Sequence, residues 1–290
     1  MTVPSQPQPS TPTGAGPRVQ LGVDVGATLA KLAIARGEGR VDYRLVPAQG
    51  IEQLALEVER LEPSRIGVTG GGAIPLARYL CLDTTAVNEF DAWGAGSHAL
   101  LAGQGLATGE RHLLVSLGTG TSAMLVDGAQ VTRVGGTALG GGTLMGLGAA
   151  LTGVADFERL VALARDGDRR RVDLLVSDIY RAGDLPLPGE LTAASFAKLA
   201  DPARHAPAAA ADLAHALLGL VGENVGLICG ALALAVGVKR IVFGGTTLRA
   251  NPALAEILGG LCTTLGREAV FLRDGEFAGA LGALKLAGRG

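Results

Sequence analysis

One pattern occurs twice in the chain and limits the possible folds more than any other feature. An apolar run at residues 21–25 ends at a turn containing glycine and threonine, and a second apolar run follows at 29–35. The same order returns with a run at 112–117, a Gly-Thr-Gly turn at 118–120 and a further run at 122–126. Apolar runs of this length between glycine-containing turns predict strands. Apolar residues between and after these strand pairs recur at the spacing of helices. The pattern therefore predicts two α/β halves of one plan, with the two turns facing each other across a cleft.

Glycine is the residue whose abundance and clustering bear most on function. The chain has 45 glycines among 290 residues, with clusters at 70–72, 140–142 and 244–245. Because glycine lacks a Cβ, clusters beside strands let the backbone approach a ligand closely. Hydrophobic residues make up 48% and charged residues 18%, which excludes an intrinsically disordered chain. The net charge of −2 comes with no basic stripe, so no nucleic-acid partner is expected.

Segments of unusual composition predict how the chain is divided, and its cysteines indicate its cellular compartment. Residues 1–17 are rich in Pro, Ser, Thr and Gln and lack the apolar core of a signal peptide, so we predict a disordered tail. A Gly-, Thr- and Gln-rich segment at 102–111 predicts a hinge between a first domain at 18–105 and a second at 106–290. The most apolar region, 213–238, contains Glu223 and Asn224, so no membrane partner is expected. Three scattered cysteines form no disulfide framework and fit a cytoplasmic location.

In the second half, the spacing of apolar residues predicts several helices. They are expected at 144–151, 157–164, 172–179 and, as one long helical region, 208–236. The basic run Arg169–Arg171 is flanked by aspartates and predicts a solvated helix face.

The segment Asp-Val-Gly-Ala-Thr-Leu-Ala-Lys at 24–31 contains the strongest local signal for chemistry. Its turn exposes N–H groups of the kind that bind phosphate oxygens, and Thr28 adds a hydroxyl. Asp24 can hold Mg²⁺ through water, because magnesium keeps several waters and takes few carboxylates. Lys31 can reach a phosphate; the alternative is an ordinary hairpin whose Lys31 lies at a strand edge. The predicted nucleotide-binding residues of this segment are Asp24, Val25, Gly26, Ala27, Thr28, Leu29, Ala30 and Lys31.

Two acids at the start of a predicted helix are candidates for a catalytic base. Glu89 and Asp91 are two positions apart, so they cannot share one helix face and at most one points into a cleft. The functional interpretation makes Glu89 the general base for a substrate hydroxyl. The alternative is that both acids lie at a helix N-terminus because the helix dipole favours them there. Position alone favours that alternative.

Arg133 precedes a glycine-rich stretch at 134–143. An Arg at a strand end, beside a turn that leads into a helix, is suited to clamp a carboxylate. The helix after Gly142 offers N–H groups and the positive end of its dipole to a phosphate. A surface Arg is the alternative. The late segment Gly244-Gly245-Thr246 closes a further strand and leaves room for a flat or anionic group.

Taken together, these segments resemble a known family. The turns at 24–31 and 118–122 and the segment at 244–246 are similar to the ATP-binding elements of the superfamily that contains actin and the acetate and sugar kinases. The segments at 133–153, 172–180, 191–196 and 275–284 resemble type II pantothenate kinases more specifically. The resemblance runs in order from about residue 19 to 287, and the long segment at 133–153 is its most specific part.

The resemblance implies two ribonuclease-H-like halves of the actin-like ATPase type, with the C-terminal helix able to pack back on the first half. It implies ATP-dependent phosphorylation of pantothenate at its 4′-hydroxyl, the first step of coenzyme A biosynthesis, with Mg²⁺ and a homodimer. Glu89 falls on the family's catalytic base, and Arg133 falls on the Arg that holds the substrate. Thr119 supplies a hydroxyl of the second turn to substrate and nucleotide. The adenine side falls on Gly140, Gly141, Gly142, Thr143, Leu144, Phe157 and Thr246.

The chain departs from the family pattern at a few positions. Ala27 stands where glycine is usual in the first turn, and Arg181, Ala194 and Ala197 are further departures, none of which removes a catalytic group. Two other activities stay open at this stage. One is a superfamily kinase for a sugar or amino sugar, against which the Arg clamp favours an acidic substrate, and the other is a non-catalytic nucleotide-binding relative.

Overall fold

The first glycine turn lies within a five-stranded sheet. Its strands are β1 (Val19–Val25), β2 (Leu29–Arg36), β3 (Val41–Pro47), β4 (Arg65–Thr69) and β5 (Thr84–Ala86). The strand order is β3-β2-β1-β4-β5, in which the pairs β3-β2 and β2-β1 are antiparallel and the pairs β1-β4 and β4-β5 are parallel. Three helices join or follow these strands: α1 (Ile51–Glu59), α2 (Ala73–Tyr79) and α3 (Glu89–Gly103).

The second sheet repeats this plan. The strands that follow are β6 (His112–Leu117), β7 (Thr121–Asp127), β8 (Gln130–Thr137), a small separate pair β9 (Leu174–Leu175) and β10 (Thr192–Ala194), then β11 (Arg240–Gly244) and β12 (Glu268–Phe271). The second five-stranded sheet has the order β12-β11-β6-β7-β8, again with one antiparallel and one parallel side. Because the order and directions match those of the first sheet, the prediction of two α/β halves of one plan is confirmed.

The remaining helices cover the second sheet or return to the first. They are α4 (Gly141–Thr152), α5 (Phe157–Arg165), α6 (Val176–Ile179), α7 (Ala210–Ala235), α8 (Pro252–Thr264) and α9 (Ala278–Ala287). Short 3₁₀ turns occur at Arg169–Arg171, Ala197–Ala200, Thr246–Leu248 and Gly275–Phe277. The computed structural model describes residues 19–37, 39–48, 50–181, 183–184, 188–201 and 207–288. The tail predicted at 1–17 lies outside the described residues.

Helix α9, at the end of the chain, packs on the first sheet. A Cβ added at Gly22 of β1 or Gly67 of β4 would overlap the backbone of α9 at Ala280 or Ala283, so only glycine permits this approach. On its other side α9 packs closely against α3. The last segment of the chain therefore belongs spatially with the first half. The division into domains at residues 105 and 106 stays a prediction.

Helix α7 is the core helix of the second half. Among the described residues it alone is long and apolar enough to cross a membrane by length and composition, and 56% of its most apolar window is buried inside the protein. Its buried side chains, among them Leu217, Val221 and Val225, pack with Leu113 and Phe243 of the second sheet. The apolar character of α7 is accounted for by this packing.

Two predictions in the second half are corrected by the structure. The helix expected at 172–179 is instead the strand β9 followed by the single turn α6, because β9 pairs with the distant strand β10. The run Arg169–Arg171 forms a 3₁₀ turn in place of a face of a longer helix, and the side chains of Arg170 and Arg171 are exposed as predicted whereas that of Arg169 is not. Its Arg169 is largely buried and lies 2.7 Å from a carboxylate oxygen of Glu223 on α7. In the first half, β3, α2 and β5 were not predicted from the sequence.

Candidate active site

The two glycine turns meet at a cleft between the two sheets. This cleft has a volume of about 1080 Å³ and is lined by side chains of both halves. The Oγ1 atoms of Thr28 in the first turn and Thr119 in the second lie 3.5 Å apart across it. The predicted site residues that line the cleft are Asp24, Gly26, Ala27, Thr28, Leu29, Lys31, Glu89, Thr119, Arg133, Gly141, Gly142, Phe157 and Thr246.

The first turn lines the cleft and contains two backbone donors that have no backbone acceptor among the described residues. It consists of Gly26, Ala27 and Thr28 between β1 and β2, and Gly26 N–H donates to the carbonyl of Leu29 at 3.2 Å. Within the described residues, the N–H groups of Ala27 and Thr28 have no backbone acceptor. Ala27 is not among the described non-glycine residues with positive φ, so alanine is tolerated here without strain. The turn can therefore supply N–H groups to a phosphate.

Asp24 and Lys31 form a cross-strand ion pair at the base of this turn. The β1–β2 register places them directly opposite each other, with Lys31 Nζ 3.7 Å from Asp24 Oδ2. Asp24 is only 4% exposed. Burial raises the pKa of its carboxyl group, because burial disfavours the charged form, while the cation of Lys31 opposes the shift and lowers the pKa. The pair places one acid and one cation next to the first turn.

Glu89 is the first residue of α3 and lines the cleft, whereas Asp91 does not. The helix begins here because the side chain of Asn88 accepts hydrogen bonds from the N–H groups of Phe90 and Asp91, as an N-cap does. Partial burial and then the negative charge of Asp24 raise the pKa of Glu89, while Lys31 lowers it. A carboxyl group with a raised pKa, at the edge of a cleft, is suited to accept a proton near neutral pH.

The second turn is held by the start of α4. It consists of Gly118, Thr119 and Gly120, and the carbonyls of Gly118 and Thr119 accept the N–H groups of Gly141 and Gly142 at 2.8 and 2.9 Å. A hydroxyl from the 246–248 turn, that of Thr247, also donates to Gly118 O, at 2.8 Å. The N–H groups of Gly141 and Gly142 are thus used on the turn itself, and the prediction that the helix after Gly142 offers N–H groups to a phosphate stays a prediction. The glycine cluster at 140–142 braces the second turn, because a Cβ at any of the three would crowd this turn or Thr247.

Arg133 lies inside β8 and not at its end, contrary to the prediction. Met124 pairs with Arg133 and Ala123 pairs with Gly135, so Val134 is an extra residue that forms a bulge. The guanidinium lines the cleft beside Gly136, where an added Cβ would lie 3.0 Å from Nη2. No carboxylate among the described residues forms an ion pair with Arg133. It therefore presents an uncompensated positive charge to a ligand.

Five predicted site residues do not line the cleft. The side chains of Val25 and Ala30 are buried in the core of the first half, and that of Leu144 is buried in the core of the second. Gly140 and Thr143 are joined instead at the start of α4, where the Thr143 hydroxyl accepts the N–H of Gly140 at 3.3 Å and donates to Ala138 O at 3.2 Å. The periodicity of a strand or helix turns these side chains away from the turn that precedes or follows them.

The structure adds cleft residues that were not predicted from the sequence. Trp93, the only tryptophan, lies one helical turn after Glu89 and lines the cleft with it; the i, i+4 spacing was the available signal. Arg249 lies within 3.7 Å of both Glu158 at the start of α5 and Glu276 in the turn before α9. No sequence signal connects these three residues, because their contact depends on the packing of three separate elements.

The donor set of the cleft fits Mg²⁺ that is shared with a nucleotide. Among the described residues, no group of three or more His, Cys, Asp or Glu could hold a metal ion. Asp24 is a single carboxylate with hard oxygen donors beside the first turn. Mg²⁺ is bound in proteins by one or two carboxylates together with substrate phosphates and water. Asp24 is the residue that would take this part.

Two comparisons of the sequence point to the same family. The family model Fumble matches residues 111–286. A type II pantothenate kinase from Staphylococcus haemolyticus (strain JCSC1435) is 35% identical to this chain over 268 residues, which cover 92% of this chain and 100% of the relative.

Solved structures that are similar to the chain show its fold. The activator of the 2-hydroxyisocaproyl-CoA dehydratase from Clostridium difficile, with bound ADPNP, matches with a TM-score of 0.62 at 16% identity, covering 94% of this chain and 96% of that one. A ROK family glucokinase from Streptomyces griseus, in complex with glucose and AMPPNP, matches with a TM-score of 0.57 at 17% identity, covering 94% and 100%. At such identities the likeness shows the actin-like ATPase fold alone, and it confirms the predicted fold class.

Proposed function

Because this chain belongs to the type II pantothenate kinase family and is an ATP-dependent kinase of pantothenate in coenzyme A biosynthesis, we propose that the cleft between its two sheets is the active site. The reaction transfers the γ-phosphoryl group of ATP to the 4′-hydroxyl of pantothenate. The substrate therefore has an anionic carboxylate at one end and the reacting hydroxyl at the other. The cleft must bind the first and place the second beside a base and the triphosphate.

Arg133 is the observation that carries the assignment of the substrate site. Its charge lines the cleft, and no described carboxylate neutralises it. A planar guanidinium presents paired donors that match a carboxylate, which a lysine does not. We assign Arg133 to the carboxylate of pantothenate, and Thr119 to hydrogen bonds with both substrate and nucleotide.

Glu89 then acts as the base. The oxygen of the 4′-hydroxyl forms a bond to the γ-phosphorus, the bond from that phosphorus to the β,γ-bridging oxygen breaks, and ADP leaves with the electron pair. Glu89 accepts the hydroxyl proton and holds it until it passes to water. A positioned base of this kind contributes about 10²–10⁴-fold. Most of the remaining catalysis in phosphoryl transfer comes from positioning and charge neutralisation.

The two turns bind the triphosphate from opposite sides. We assign the N–H groups of Ala27 and Thr28 and the hydroxyl of Thr119 as donors to the phosphates, because these three residues line the cleft and no described backbone carbonyl accepts the two N–H groups. Mg²⁺, when held by Asp24 through water, supplies charge neutralisation at the phosphates. Lys31 orients Asp24 from the opposite strand. Phe157 and Thr246 lie on the second-sheet side of the cleft, where we place the adenosine.

A substrate screen tests this assignment. The chain is assayed for ADP formation with pantothenate, with pantothenyl alcohol, which lacks the carboxylate, and with glucose and glucosamine, and the product is identified by mass. We expect turnover with pantothenate to exceed that with the alcohol and to be absent with the sugars. Phosphorylation of a sugar in preference to pantothenate would refute the assignment.

We infer a homodimer in the cytoplasm from the family resemblance. Exposed leucines support an interface: Leu147 and Leu151 lie four positions apart on α4, and Leu227 and Leu234 lie seven apart on α7. Each pair lies on one helix face, and large exposed apolar patches mark interaction surfaces. Light scattering should give twice the chain mass of 29.2 kDa. A monomer at micromolar concentration would contradict the inference.

A further inference from the structure

The carboxylate of Asp24 is enclosed by two glycines from distant parts of the chain. A Cβ added at Gly70, after β4, would lie 2.5 Å from Oδ1, and one added at Gly279, in the first turn of α9, would lie 2.7 Å from Oδ2. Real Cβ atoms do not approach oxygen so closely, so either substitution must displace the carboxylate or the backbone. Each oxygen of Asp24 therefore packs against a residue that has to be small.

Trp93 reaches the same place from α3. The Cβ added at Gly279 would also lie 3.2 Å from Trp93 Nε1, so the indole N–H and Asp24 Oδ2 both approach the Cα of Gly279. Trp93 is 5% exposed and lines the cleft on the same helix as Glu89. The aligned peptide dipoles of α9 give its first turn a partial positive charge, which favours a carboxylate nearby. The start of α9, Trp93 and Asp24 thus form one packed unit.

We propose that Gly279 and Trp93 are positioning residues for Asp24, and that they hold its carboxylate in the orientation that serves the magnesium–nucleotide. The proposal rests on the proposed function of the cleft, and it extends the catalytic machinery to the last helix of the chain. Groups that orient a metal-binding carboxylate act without touching the metal, and their loss typically costs about 10–100-fold in metal affinity or activity. A single added methyl group can displace the carboxylate far enough to weaken metal binding, because such sites tolerate displacements of only about 0.5 Å from the productive geometry.

The test measures nucleotide binding, so that it does not depend on turnover. A non-hydrolysable ATP analogue is titrated calorimetrically with Mg²⁺ and again with EDTA, and the ratio of the two affinities gives the gain due to the metal. For Gly279→Ala we expect this gain to fall roughly 10- to 100-fold with the EDTA affinity unchanged. Trp93→Phe, which keeps an aromatic ring but removes the part of the indole that packs beside Gly279 and Asp24 Oδ2, should lower the gain in the same direction.

Two controls separate positioning of Asp24 from general damage. Gly260→Ala, on the surface of α8 with open space around its Cβ, should leave the gain unchanged. In an Asp24→Asn background, Gly279→Ala should have no further effect on the gain, because the group that it positions is absent. If Gly279→Ala and Trp93→Phe both keep the wild-type gain, or if the effect of Gly279→Ala persists fully in Asp24→Asn, the proposal is wrong. Failure of the proposed function would show separately, as wild-type protein that does not phosphorylate pantothenate.

Discussion

The turns at 26–28 and 118–120 occupy the same place in two sheets of the same strand order, but their flanking residues differ in charge. Asp24 and Lys31 face each other across the strands that lead to the first turn. The equivalent pair beside the second turn is Ser116 and Ser122, two neutral hydroxyl residues. The same backbone plan thus carries an ion pair in one half and hydroxyl groups in the other. Glu89 adds a further charge on the side of the first half.

The two turns are also braced differently. The first is approached by a glycine cluster after β4, in which Gly72 N–H donates to Val25 O at 3.0 Å. The second is held by the first N–H groups of α4 and by the Thr247 hydroxyl, all of which donate to its carbonyls. We infer that the first half performs the proton and metal chemistry, while the second half fixes the nucleotide in place. The following predictions test this division.

The largest effect is expected for the base. Glu89→Gln keeps the shape of the side chain and removes its ability to accept a proton, so kcat should fall by about 10²–10⁴-fold. ATP-analogue affinity, measured by calorimetry, should stay near wild type because the proposed role of Glu89 is to accept the hydroxyl proton and not to bind the phosphates. The matched control is Asp91→Asn, two positions further along α3 and outside the cleft. A Glu89→Gln enzyme that turns over within about twofold of wild type would remove the proton chemistry from the first half.

Arg133 belongs to the second half and is assigned to the carboxylate of pantothenate. Its substitution should therefore change KM for pantothenate. Arg133→Ala should raise KM for pantothenate roughly 10- to 10³-fold, at about 1.4 kcal/mol per decade, with little change in KM for ATP. Arg133→Lys should recover only part of this loss, because an ammonium group lacks the paired donors of the guanidinium.

Pantothenyl alcohol provides the control for Arg133. Since it has no carboxylate, it should be a poor substrate of the wild type and should lose little more with Arg133→Ala. Comparing wild type and Arg133→Ala with each of the two substrates gives a double-mutant-type cycle, which isolates the coupling free energy between the guanidinium and the carboxylate. Equal losses for acid and alcohol would show that Arg133 does not contact the carboxylate.

The pH dependence of kcat/KM should be set by Glu89, in the half that carries the charged residues. Glu89 accepts a proton only when ionised, and burial and Asp24 raise its pKa. Consequently kcat/KM should fall as the pH decreases, with a midpoint above the ordinary range of a glutamate carboxyl group and about a tenfold loss per pH unit below it. Lys31→Met removes the cation that lowers the pKa of Glu89, so the midpoint should move to higher pH. The same decrease of kcat/KM at low pH should be seen with pantothenyl alcohol, since this substrate has no carboxyl group that titrates. A decrease seen only with pantothenate would reflect titration of the substrate carboxyl group.

The comparison of the two halves also shows what could be predicted from the sequence. Apolar runs and glycine-containing turns predict the strands beside both turns, and the spacing of apolar residues predicts α3. Its position along the chain favours Glu89 as a helix-start acid and only the family resemblance assigns it as the base, because one sequence position does not show what lies opposite it. Gly141 and Gly142 line the cleft, as expected of ligand-facing glycines, but their part in bracing the second turn was not predicted, since their N–H groups donate to carbonyls more than twenty residues earlier in the chain.

Other parts depended on contacts between distant residues. Asp173 is buried and its side chain accepts the N–H of Phe196, which favours the strand pair β9–β10 over the predicted helix. Arg249 meets Glu158 and Glu276 through the packing of three elements. Tertiary contacts of this kind override local periodicity, so no window along the sequence reveals them.

The smallest effect is expected for the brace of the second turn. Thr247 is 2% exposed, and its hydroxyl donates to Gly118 O at 2.8 Å. In Thr247→Val the carbonyl keeps its second donor, the N–H of Gly141, so no buried acceptor is left unpaired. The free energy of unfolding should therefore fall by only about 0.5–1.5 kcal/mol, a decrease in Tm of a few degrees, roughly 2–4 °C per kcal/mol in domains of comparable size.

The kinetic consequence of Thr247→Val separates the roles of the two halves. A looser second turn should raise KM for ATP by a factor of about two to ten, in line with a loss of this size, and leave kcat nearly unchanged. Thr263→Val is the matched control, because its hydroxyl donates to a backbone carbonyl on the exposed face of α8, at 3.0 Å from Gly259 O; there we expect a change within about 0.5 kcal/mol and no kinetic effect. If Thr247→Val instead lowered kcat a hundredfold with ATP binding intact, the second turn would hold a group that acts in the transition state. The division between a reacting half and a positioning half would then be wrong.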